Sequence, residues 1–86
     1  MFKKNDKVII KANDNNLIGG MFNHLSIEGI KYYFNNKRVG FISACWENEI
    51  IGDIVEIGKD NIYLIRSGND RYAFTNNYNE MKLLEG

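Results

Sequence analysis

Cys45 and His24, each the only one of its kind, with Glu47 and Glu49 just beyond the cysteine, are the residues that could furnish a nucleophile, a base and an orienting carboxylate. Their setting argues against it. Ala44-Cys45-Trp46 is an apolar neighbourhood with no cation beside it, whereas a reactive thiolate needs nearby positive charge or a helix N-terminus. Cys45 therefore reads as a small buried hydrophobe, and His24 as a surface or rim histidine. One cysteine and one histidine cannot complete a Cys/His zinc site within the chain. No glycine-rich run ends in Lys-Ser/Thr, and no glutamate stands twelfth from a start within Asn13 to Asn16, so neither a phosphate cradle of that type nor an EF-hand is present. A chain without catalysis, metal or cofactor is expected.

A second set of residues suits contact with a partner. Tyr32, Tyr33, Trp46, Tyr63 and Tyr72, together with Arg66, Arg71, Glu47 and Glu49, are the expected partner-binding residues. Tyrosine, tryptophan and arginine dominate interface hot spots. Alternation along a strand sends Tyr33 opposite to Tyr32, so one of these rings should face outward. The same types could stack unpaired bases, as single-strand binders do. Packing in the core or at its rim is the plain alternative. Charge is also segregated: Lys3, Lys4, Lys7 and Lys11 make the amino end basic, while Glu47, Glu49, Asp53, Glu56 and Asp60 form an acidic segment. That arrangement serves complementarity within the molecule, self-association or docking to a basic partner groove, beside the simple use of solvating two faces.

The elements that position these residues must come from one domain. The chain has 86 residues, 44% of them hydrophobic and 26% charged, which is ordinary for a globular chain and leaves room for one modest core. Its formal net charge is zero, so no global field draws it to nucleic acid or to an anionic membrane. A lone cysteine fits a reducing compartment. The apolar run Val8-Ile9-Ile10 is too short for a signal peptide or a membrane span, so a cytoplasmic location is expected. Asparagine is frequent and proline absent, which reads as the coding bias of an AT-rich genome.

Gly52 to Glu85 carries the most consistent local signals. Asp53 to Ile57, Asn61 to Arg66 and Arg71 to Thr75 are apolar-rich runs separated by Gly58-Lys59-Asp60 and Ser67-Gly68-Asn69-Asp70, which predicts an antiparallel β-meander. Val8 to Lys11 predicts a first strand with a basic start. Leu17, Ile18, Met21, Phe22 and Leu25 share one helical face, so a short helix near residues 17–25 competes there with strand. Gly19 and Gly20 favour strand, because each costs about 1 kcal/mol relative to alanine inside a helix. Ile30 to Phe34 and Arg38 to Trp46 predict a second hairpin about the loop Asn35-Asn36-Lys37. Ile18-Gly19 recurs as Ile51-Gly52, an echo that fits two three-stranded meanders packed face to face or closed into one barrel.

In order, the stretches G-D-I-V-E-I, I-Y-L-I, R-Y-A-F and N-E-M-K-L-L, with Asp6 to Ile10 as a first strand, resemble the strands of small SH3-like barrels. The resemblance touches about half the chain, and the long segment from Lys11 to Ile51 departs from it. It implies a binding scaffold and does not set function. The expected fold class is all-β, either a small SH3-like barrel or two packed antiparallel β-meanders. The expected function is a non-catalytic protein-binding module, of the kind a phage or mobile element uses to inhibit a host or defence enzyme, with anti-CRISPR proteins as the pattern. An RNA or single-stranded DNA binder is the alternative. The expected partner is another protein, with a nucleic acid or a second copy also open and no membrane involved.

Overall fold

The computed structural model describes residues 2–18, 34–37, 42, 43, 45 and 47–84. Their strands are β1 (Lys7–Lys11), β2 (Leu17–Ile18), β3 (Glu49–Ile57), β4 (Ile62–Ser67), β5 (Asp70–Thr75) and β6 (Met81–Leu83). All pairings are antiparallel, in the order β2-β5-β4-β3-β1-β6. The result is a five-strand all-β sheet extended at one edge by the two residues of β2. Among the described residues the edge strands β2 and β6 are not ladder partners, so the ladder does not close into the expected barrel. The meander β3-β4-β5 lies where its turn residues predict. A second meander, like most of the hairpin expected over 30–46, falls largely outside the described residues. So does the helical alternative, except that Leu17 and Ile18 pair as strand with Phe74 and Ala73.

The turns put several of the asparagines to structural use. Asn5, Asn35, Asn36, Asn61 and Asn79 all have positive φ, as does Asp60. Asparagine and aspartate tolerate that region better than other side-chain-bearing residues. Asn35-Asn36 and Asp60-Asn61 are consecutive left-handed pairs, the requirement of a type I′ turn. Gly68, at φ +62, leads the two-residue loop between the paired Ser67 and Asp70.

Among the described residues, two apolar clusters hold the sheet. The larger joins Val8, Ile10, Leu17, Cys45, Ile50, Ile54, Tyr63, Ile65, Tyr72, Phe74 and Met81 on the inner face, with Ala12 at its rim. The smaller sits on the opposite face of β4, where Phe34, Ile62 and Leu64 meet Ile42 and Val55. A β-bulge between Ile54 and Glu56 shifts the β3 register against β4. Ile54 and Ile57 thus both reach the inner cluster, although an unbroken strand would send them to opposite faces. Gly52 faces inward where a Cβ would stand 2.4 Å from the Arg66 carbonyl oxygen, so β3 and β4 approach too closely there for any side chain.

Polar groups finish the edges. Asn16 is fully buried; its Oδ1 accepts from the Asn13 amide at 3.0 Å and its Nδ2 donates to the Lys11 carbonyl at 2.7 Å. Asn13 and Asn16 both donate to the Glu80 carboxylate, and the Thr75 amide donates to the Asn16 carbonyl at 2.9 Å. This clasp ties the approach to β2 to the ends of β5 and β1 and to the residue before β6. On β5, Ser43 donates its amide to the Arg71 carbonyl at 2.7 Å and covers the strand beyond β2.

Candidate functional site

The outer face of the sheet follows from alternation. Val8 and Ile10 point into the core, so Lys7, Ile9 and Lys11 point away from it. By the same rule Glu49, Ile51 and Asp53 share that face on β3, Arg66 on β4, Arg71 on β5 and Lys82 on β6. Register then arranges them in rows across the strands. Lys7 lies opposite Asp53, Asp53 opposite Arg66, and Arg66 opposite Arg71. The next row is Lys82, Ile9 and Ile51, and the third contains Lys11 and Glu49.

Two properties stand out. Ile51 is 47% exposed beside the half-buried Ile9, an apolar centre bounded by charge in the neighbouring rows. The acidic segment is also largely matched within the molecule: Glu49 faces Lys11, Asp53 faces Lys7, and Glu56 pairs with Lys4 at 3.5 Å and Lys37 at 3.4 Å. Of these, the Glu56 contacts are ion pairs, whereas Glu49–Lys11 and Asp53–Lys7 are neighbours by strand register. In the first row, three cations accompany a single carboxylate, and Arg66 and Arg71 are direct cross-strand neighbours.

The sequence-predicted contact residues separate. Glu47, Glu49 and Arg66 are exposed, and Arg71 is half-buried. Tyr63 and Tyr72 belong to the core instead of an outer surface, at 9% and 8% exposure. Tyr63 packs edge-on against Phe2, and Tyr72 is tilted against Phe74. The reason is the inward phase of β4 and β5: Tyr63 and Ile65 share the inner face, as do Tyr72 and Phe74. Tyr32, Tyr33 and Trp46 lie outside the described residues. Sequence reasoning missed Ile51 and Ile9. Adjacent Ile50 and Ile51 within a strand already require one of them to face outward.

Cys45 is fully buried, and its Sγ lies 3.4 Å from the Glu47 carbonyl oxygen, to which it donates. Burial raises the pKa of the Tyr72 phenol above 10.0, with the negative charge of Asp70 adding to the effect. Among the described residues, no group of three or more histidine, cysteine, aspartate or glutamate side chains is placed to hold a metal ion. Comparison with family models, with curated proteins and with solved structures gives no match for this chain.

Proposed function

We propose that the chain is a non-catalytic protein-binding module that works through the outer face of β1 and β3, flanked by Arg66 and Arg71. The observation that carries this reading is Ile51, exposed beside Ile9 and bordered by charged rows. An apolar centre with a polar rim is the usual anatomy of a protein contact. The scaffold that presents this face is the antiparallel sheet itself, with the first strand seated between β3 and β6. The narrower reading within this class is an inhibitor that occupies the surface of a host or defence enzyme.

The test is capture from an extract of the source cells with the wild type, Ile51→Asp and the control Tyr78→Asp, whose ring is 57% exposed. A protein held by the wild type and the control but lost with Ile51→Asp is the expected result. Capture indifferent to Ile51→Asp would refute the assigned face.

A second reading, an RNA or single-stranded DNA binder, is favoured by the row in which Lys7 and Arg66 flank Asp53 and Arg71 lies beyond Arg66. Counterion release would then make affinity for an oligonucleotide fall steeply with salt, and Arg66→Ala would reduce that slope. The isoleucines at the centre of the face favour the protein reading, because base stacking calls for aromatic rings.

A further inference from the structure

We infer that the partner this face fits is a second copy of the same chain, packed face to face about a two-fold axis parallel to the strands and midway between β1 and β3. The inference rests on reading the face as a protein contact. Such a rotation keeps each residue in its row and exchanges the two strands, so β1 of one copy lies over β3 of the other. Residues that are neighbours within a copy then meet their own complements across the interface. Lys11 falls over Glu49 of the second copy, Ile9 over its Ile51, and Lys7 over its Asp53, each contact occurring twice.

This is the self-complementarity that a two-fold interface demands, where residue i meets j and j meets i. Charge selects the axis. A two-fold in the sheet plane but perpendicular to the strands would set Lys7 over Lys11 and Asp53 over Glu49, placing like charges together in both columns. The parallel axis places unlike charges together and buries the isoleucines against one another. Sheets packed face to face keep their strand directions within about 30° of each other, which this arrangement satisfies. Arg66 and Arg71, on β4 and β5, remain towards the flanks. The face is only a few strands wide, less than the roughly 800 Å² per partner of a standard interface, so association belongs to high protein concentration.

The experiment uses sedimentation equilibrium on the intact chain and two single variants, Lys11→Glu and Glu49→Lys, both at exposed positions. Near-ultraviolet circular dichroism establishes that each variant is folded. The wild type should dimerise below about 1 mM. Each variant alone sets like charges over one another and should dimerise about tenfold more weakly. An equimolar mixture of the two restores both cross-interface pairs and should recover wild-type association as a heterodimer. That recovery cannot arise from pairing within one chain, since neither variant keeps its own Lys11–Glu49 pair. A wild type that stays monomeric at about 1 mM, or a mixture that does not recover, overturns the inference. In either case the capture experiment still decides the protein-contact reading: a monomer whose Ile51→Asp form loses the captured protein leaves that reading standing. Dimerisation that requires added oligothymidylate would likewise overturn self-association.

Discussion

On either side of its bulge, β3 presents two different outer surfaces. From Glu49 to Asp53 the strand has its inner residues in the core and its outer residues in solvent, with Ile51 uncovered. Beyond Ile54 the outer side is roofed: Val55 packs with Phe34, Ile42, Ile62 and Leu64. The adjoining end of β4 is buried on both faces as a result. The bulge is the divide, and Glu56, holding Lys4 and Lys37, pins the roofed end at its margin. Apolar residues on the outer side therefore have two fates in one sheet. Those under the roof are accounted for by folding, whereas Ile51 remains available to a partner.

The largest test of this contrast removes a ring from each cluster. Phe74→Ala empties the inner cluster and should cost about 3–5 kcal/mol in urea denaturation. Phe34→Ala removes the roof's anchor and should cost less, about 2–3 kcal/mol, because a peripheral cover can settle into the space. Equal losses would mean that the roof is as integral as the core. Gly52→Ala tests whether the unroofed half is equally tight inside. Its Cβ would meet backbone, so a loss of about 1–3 kcal/mol is expected. Asn16→Ala takes the acceptor from the Asn13 amide and one of two donors from the Lys11 carbonyl and the Glu80 carboxylate, and should cost about 1–3 kcal/mol in the same assay.

The Tyr72 phenol provides a pH test of the inner cluster. Its folded pKa lies above the ordinary 10.0, so above pH 10 the unfolded chain gives up this proton more readily than the native one. Stability is therefore fully present below pH 10 and is lost as pH rises through the folded value. Melting temperature followed from pH 8 upward should show that decline, and Tyr72→Phe should flatten it. The smallest effect on folding belongs to the exposed face: Ile51→Asp should change stability by no more than about 0.5 kcal/mol while abolishing contact. A large loss of stability there would place Ile51 in the fold instead of on an interface.

Much of the fold was legible because turn chemistry is local. Gly68 and the Asp60-Asn61 pair sit where their tolerance of positive φ is needed, and the strands between them start and stop within a few residues of expectation. The candidate site was less legible. Alternation states that two sets of residues face opposite ways but not which way is inward, and in I-Y-L-I both faces are buried. Tyr63 became a core ring because the chain lays its inner cluster on that side. The roof comes from Phe34 and Ile42, far away in sequence, and no local pattern announces it. The rows of charge likewise needed register, since Lys7, Asp53, Arg66 and Arg71 become neighbours only once four strands are paired.

The seat of β1 between β3 and β6 also bears on synthesis. Val8 has partners at Gly52 and Leu83, so a nascent chain leaving the ribosome exposes this strand long before either arrives. Its lysines, Lys7 and Lys11, would guard it against premature pairing with other chains during that wait. Until both partners have been made, the strand's protection rests on its own side chains.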